Sequence, residues 1–289
     1  MSILHPSQAT LIDHLGQRAM RLSLPDRSTA IVMLHGAQVV SWQAGSHGEQ
    51  LYLSPTAQAA PGMAIRGGVP VIFPQFEQRG PDRSLPRHGL VRTRPWTVDG
   101  THTGPDHAQA TFLIGDDDST REHWPHAFSL ELTVSLGLSR LDMELHVQNT
   151  GERAWDFSAA LHTYLGAKDI SQLRLQGLDG CSFVDVLHNA ERMEDQVEKR
   201  FPGEIDRIYA KAPGSLLLRE GARRLLIEAD TFEDTVLWNP GPEKCAALKD
   251  MPNEDWRRML CVEAAQVFSP PMLAPGDSWT ARQSLILQA

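Results

Sequence analysis

Two short apolar segments each carry one residue able to move a proton. In Ala159-Ala160-Leu161-His162-Thr163-Tyr164-Leu165, alternation sets His162 on the face opposite Trp155, Phe157 and Leu161. That face also holds Asp156, Ser158 and Ala160. A histidine among small and polar neighbours faces a groove or solvent rather than the main core. With a reference pKa of about 6.5 it can donate or accept a proton at neutral pH, although a lone surface histidine is more often inert. In Met259-Leu260-Cys261-Val262-Glu263-Ala264-Ala265, the one acid sits inside an apolar strand. An unpaired buried carboxylate is costly, so Glu263 needs either an ionic partner, such as an arginine, or a function.

A third segment supplies positive charge. Residues 66–94 hold six arginines (66, 79, 83, 87, 92 and 94) against Glu77 and Asp82, a local net of +4. The whole chain of 289 residues has a formal charge of −9, which leaves −13 on the remainder. A concentrated arginine segment in an acidic protein suits an anionic small molecule, or else neutralises neighbouring carboxylates. Its glycines and prolines read as a structured loop. It contains neither GxxxxGK[ST] nor GxGxxG, so a nucleotide cradle is not indicated. Two further polar islands are Asp206-Arg207-Ile208-Tyr209, by itself a surface ion pair, and Asp234 to Lys244. In the latter, Trp238, an Asn-Pro turn and Lys244 could line a sugar site; a core tryptophan followed by a turn is the plainer reading.

The elements that must position these residues read as strands. Phe128, Leu130, Leu132, Val134 and Leu136 alternate with polar residues, as do Leu141, Met143, Leu145 and Val147, with Trp155, Phe157, Ala159 and Leu161 following after an Asn-Thr-Gly turn. Further strands are expected at 20–24, 30–34, 38–43, 108–114, 216–219, 224–229, 235–238, 259–265 and 279–287. Helix is expected only at 189–201 and in a short turn after Pro252. Asp116-Asp117-Asp118 reads as a solvated hairpin tip. Many short strands without interleaved helices argue against a doubly wound sheet and favour an antiparallel sandwich in a single domain over 1–289.

Composition narrows the class. At 41% hydrophobic and 22% charged, the chain is an ordinary globular one. No apolar run approaches a membrane span, and the N-terminus lacks a signal-peptide pattern. The acidity disfavours nucleic acid and membrane partners. Cys181, Cys245 and Cys261 have no CxxC spacing and read as reduced thiols of a cytoplasmic protein. The twelve histidines include no HExxH, and His102/His107 and His123/His126 lie in polar stretches, so no metal is expected.

Taken in order, IRGGVPVIFPQF (65–76), RHGLVR (87–92), LHTYL (161–165), DRIY (206–209), VLWNP (236–240) with Lys244, CVEAA (261–265) and LAPGDSW (273–279) resemble the aldose 1-epimerase (galactose mutarotase-like) superfamily. They are most similar to its hexose-6-phosphate 1-epimerase branch, and the matches span roughly 36–285. The resemblance implies an all-β fold, a large antiparallel supersandwich with a sugar groove on one concave sheet. It implies interconversion of the α and β anomers of a hexose 6-phosphate, above all D-glucose 6-phosphate, without a cofactor; separately, a monomer is expected. It also implies roles: Glu263 as base at O1 and His162 as acid at O5, with Arg66, Gln75, His88, Arg92, Asp206, Trp238 and Lys244 around the substrate. Arg66 and Arg92 are the expected phosphate ligands. Two positions depart from the family pattern, Glu77 after Phe76 and Leu90 where relatives often have Phe. The alternatives are an epimerase for an unphosphorylated aldose and a non-catalytic sugar-phosphate module on the same fold.

Overall fold

The computed structural model describes residues 6–79 and 85–288, so Asp82 and Arg83 of the arginine segment lie outside it. Strands dominate, and all the named strand pairs are antiparallel. A nine-stranded sheet runs Glu198–Lys199, Arg174–Gln176, Ser215–Glu220, Arg223–Asp230, Ser278–Leu287, Arg140–Asn149, Phe128–Gly137, His107–Gly115, Thr97–Thr103. An eight-stranded sheet runs Ala190–Met193, Ser182–Asp185, Ile205–Tyr209, Asp234–Asn239, Met259–Gln266, Ala159–Leu161, Val71–Ile72, and Tyr164–Gly166 also pairs with Met259–Gln266. A four-stranded sheet is formed by Gln8–His14, Gln17–Ser23, Thr29–Met33 and Val39–Gln43. Among the described residues no helix is long and apolar enough to cross a membrane.

The two large sheets face each other across the main core. Leu161, Tyr209, Leu237, Val262 and Ala264 of one share a cluster with Leu132, Leu145, Leu225 and Leu285 of the other. Period-two alternation then turns their chain neighbours outward. Ala160, Ile208, Val236 and Ala265 form a second, small cluster with Ile72 and Phe76 on the opposite face. That outer face is where polar side chains of the eight-stranded sheet can meet a ligand.

Three local expectations are corrected. Residues 189–201 are not helical: Ala190–Met193 is an edge strand and Glu198–Lys199 pairs in the other sheet. Buried Glu194 explains this, because it accepts from Tyr209 Oη at 2.6 Å and pairs with Lys199 at 2.7 Å and Arg207 at 3.0 Å. These tertiary bonds outweigh the helix propensity of the segment's Glu, Arg, Met and Lys residues. The Asp116–Asp118 tip is not simply solvated. Asp117 caps the short helix Asp118–Arg121 in a capping box and pairs with Arg94, while Asp116 pairs with Arg121. Exposed amides at a helix start attract a carboxylate, which offsets the repulsion among the three acids. Finally, Asp206–Tyr209 is no surface island but part of a central strand of the eight-stranded sheet.

Candidate active site

His162 and Glu263 are brought together by register. Leu161 lies opposite Ala264 and Tyr164 opposite Cys261, so continuity of the pairing sets His162 opposite Glu263. Between those two pairs the ladder opens. The Thr163 amide turns back to the Leu161 carbonyl at 2.9 Å, a γ-turn centred on His162, and the His162 amide donates to Pro70 O at 3.0 Å. The imidazole stacks on Tyr164, with centroids 4.8 Å apart and planes at 10°, and its Nδ1 stands 3.3 Å from Glu263 Oε1. Asp206 lies opposite Trp238, and Trp238 opposite Cys261, which puts them on the same outer face.

The arginine loop folds over this face and lines a cleft that opens to solvent. His88 and Gly89 both take positive φ, 65° and 74°, and a Cβ on Gly89 would lie 2.0 Å from the Phe73 carbonyl oxygen. Only glycine allows that approach, and the turn aims His88 inward. His88 Nδ1 accepts from the Glu77 amide at 3.3 Å, so its proton sits on Nε2. A Cβ on Gly68 would likewise lie 2.1 Å from the Val39 carbonyl oxygen.

The cleft is lined by eight of the nine residues singled out from the sequence: Arg66, His88, Arg92, His162, Asp206, Trp238, Lys244 and Glu263. Gln75 is the exception. It is buried behind the loop, and its Nε2 donates to the carbonyls of Leu85 and Pro86 at 3.1 and 3.2 Å. Lining residues that the sequence reasoning did not select include Phe76, Glu77, Arg87 and Tyr164. The signal for Tyr164 was present, since it lies two residues from His162 and shares its face. Glu77, a departure from the family pattern, pairs with Arg87 at 2.6 Å and Arg79 at 3.0 Å.

Electrostatics separate the cations. Arg66 is held by Asp250 at 3.1 Å and by Tyr164 Oη at 3.1 Å, and Lys244 pairs with Glu204 at 3.5 Å. Arg92 donates to the Arg87 carbonyl at 2.9 Å, and among the described residues no carboxylate pairs with it. Burial and the nearby Arg66 and Arg87 charges weigh against its own charge, so an anion beside it would be welcome. His162 is pushed well below the usual imidazole range by burial and by Arg92 and Arg66. Burial, then the Asp206 and Glu77 carboxylates, push Glu263 well above the usual carboxylate range. The 3.3 Å approach is therefore not a fully charged ion pair: burial disfavours both charges. Among the described residues, His162 Nδ1 and Glu263 Oε2 have no hydrogen-bond partner.

One grouping of potential metal ligands occurs among the described residues: His162, Cys261 and Glu263, with ligand atoms within 4.8 Å of one another. Burial pushes the Cys261 thiol well up, favouring the protonated form that does not bind metal. All three cysteines are free.

Asp206 has a testable electrostatic signature. Burial and then Glu77 push its carboxyl up to about 6. Between about pH 4 and 6 the unfolded chain releases this proton first, so stability falls as pH rises through that window. Asp206→Asn is expected to match the parent near pH 4 and to exceed its stability by about 2–3 kcal/mol at pH 8. Denaturant unfolding at the two pH values measures this; an equal difference at both would contradict it.

A sequence model of the family described as aldose 1-epimerase matches residues 18–285. The chain belongs to the aldose 1-epimerase family. Among members of this epimerase family, a Cenchrus ciliaris protein bearing the provisional name glucose-6-phosphate 1-epimerase is 33% identical over 267 residues, covering 89% of this chain and 80% of the relative. An Escherichia coli K12 protein with the same provisional name is 34% identical over 239 residues, covering 80% and 78%. Among solved structures, one titled a provisional mutarotase from Salmonella typhimurium superposes with a TM-score of 0.89 at 25% identity, covering 96% and 93%. The galactose 1-epimerase from Lactobacillus acidophilus NCFM reaches a TM-score of 0.74 at 14% identity over 98% of both chains and shares the fold. The all-β galactose mutarotase-like supersandwich expected for this aldose 1-epimerase family member is thus the observed architecture.

Proposed function

We propose that this protein interconverts the α and β anomers of a hexose 6-phosphate, with D-glucose 6-phosphate as the preferred substrate. The observation that carries the reading is the close His162–Glu263 pair in a cleft that also holds Arg66 and Arg92. The relatives' names point to the same substrate.

Anomerisation needs one proton removed from O1 and one delivered to the ring oxygen O5. Both oxygens are bonded to C1, so a base and an acid a few ångströms apart reach both. Glu263 takes the O1 proton, and the O1 electrons form the C1 carbonyl. The C1–O5 bond breaks, and O5 takes its electron pair and a proton from His162. Rotation about C1–C2 presents the other carbonyl face, O5 attacks it, and both protons return. Nothing is consumed. Burial and the Asp206 and Glu77 carboxylates raise the proton affinity of Glu263, which makes its ionised form a stronger base toward O1. His162 must carry a proton, which the Arg66 and Arg92 charges oppose. A phosphate dianion between those guanidiniums offsets the opposition, so the substrate's own charge favours the acid form. His88 Nε2 and Asp206 offer a donor and an acceptor to sugar hydroxyls, and Trp238 offers an apolar face. Gln75 acts from behind by holding the loop.

The decisive assay is mutarotation of freshly dissolved α-D-glucose 6-phosphate, followed by polarimetry or a dehydrogenase specific for the β anomer. Catalysed equilibration well above the spontaneous rate is expected. Equal acceleration of free glucose would remove the phosphate preference. Binding without acceleration of any sugar would identify a non-catalytic module.

A further inference from the structure

We infer that Gln283, on the far sheet and outside the cleft, is a positioning residue that holds His162 against Glu263. It lies on the strand Ser278–Leu287, between Ala281 and Leu285 on the core face, and is 1% exposed. A glutamine in the apolar layer between two sheets is costly unless both ends of its amide are bonded. Both ends bond to chain neighbours of the two residues that carry the chemistry. Its Oε1 accepts from Thr163 Oγ1 at 2.5 Å, and its Nε2 donates to Val262 O at 3.1 Å. Thr163 follows His162, and Val262 precedes Glu263.

The reason a side chain is needed there lies in the γ-turn. A regular antiparallel pair at this register would join Thr163 and Val262 by two bonds. One is present, from the Val262 amide to the Thr163 carbonyl at 3.1 Å. The other is lost, because the Thr163 amide has turned to Leu161. The Val262 carbonyl would then be a buried orphan, and Gln283 Nε2 supplies the missing donor. The same side chain anchors Thr163, whose placement sets the γ-turn and hence the imidazole. Gln283 therefore bridges the gap that the turn opens in the ladder and fixes its width from behind. Proton transfer depends steeply on such distances, whereas the grip of Arg66 and Arg92 on a phosphate does not pass through this contact.

The inference rests on the anomerase reading, and its test separates the two. The parent enzyme is first shown to accelerate α-D-glucose 6-phosphate mutarotation; failure there ends the reading itself. Gln283→Leu, confirmed as folded by circular dichroism and a cooperative melt, is then expected to lose at least tenfold in kcat with KM within about twofold of the parent. Gln283→Glu keeps the acceptor for Thr163 and, protonated in this apolar layer, a donor for Val262, and is expected to recover most of the lost kcat. A folded Gln283→Leu with kcat within twofold of the parent would overturn the inference. So would parallel changes in kcat and KM, or no recovery with folded Gln283→Glu. If Gln283→Leu does not fold, Thr163→Val, which removes one arm of the bridge, is read by the same kcat and KM criteria.

Discussion

Glu263→Gln is expected to fold and to lose about 10²–10⁴-fold in kcat for mutarotation, the usual contribution of a positioned general base. The change keeps the shape of the side chain and removes the ability to take a proton. It also removes an acid whose ionisation burial opposes, so no loss of stability is expected. The KM for glucose 6-phosphate should change little, because Gln keeps a hydrogen bond to O1 and the phosphate contacts lie on other residues. His162→Asn is expected to lose a similar factor. The two losses should not multiply in the double variant, since base and acid act in one concerted exchange. Initial rates corrected for spontaneous mutarotation, together with thermal melts, measure both effects. Near-parental turnover in a folded Glu263→Gln would sink the assignment of the base.

Arg92→Ala carries the second large effect. Arg92 is the cleft arginine that pairs with no carboxylate among the described residues, whereas Arg66 is held by Asp250 and Arg87 by Glu77. A charge-assisted bond to a phosphate contributes about 1.5–3 kcal/mol, so kcat/KM for glucose 6-phosphate is expected to fall roughly 10- to 150-fold. Activity on free glucose should hold or rise, because the lost guanidinium leaves one less charge opposing a proton on His162. The signature is thus a change in the ratio of the two substrates. Equal loss on both would place the phosphate elsewhere and make Arg92 a structural residue.

Much of this architecture was legible in the chain. The alternation in 128–136 and 141–147 marks strands half buried between core and surface, and the structure extends them to Phe128–Gly137 and Arg140–Asn149. The same period placed His162 on the face away from Leu161. It failed where local bias and tertiary demand disagree. Residues 189–201 look helical because Glu, Arg, Met and Lys favour helix, yet Glu194 is drawn inward by Lys199, Arg207 and Tyr209. Gln75 reads as a ligand beside the other polar side chains of its loop, but a loop needs side chains that hold it as well as side chains that it presents.

Alternation along the chain marks the long strands and their faces, because it is a local property that burial converts directly into sidedness. The sequence by itself also determined the family, through motifs kept in order along nearly the whole chain. Only the tertiary structure decided which faces meet. His162 and Glu263 are 101 positions apart in the chain. They become neighbours because strands from distant segments pair in one register. Which arginine is left without a carboxylate, and which buried glutamine spans the gap behind the histidine, likewise depend on distances between segments. No local pattern encodes those distances; they follow from how the two large sheets pack together.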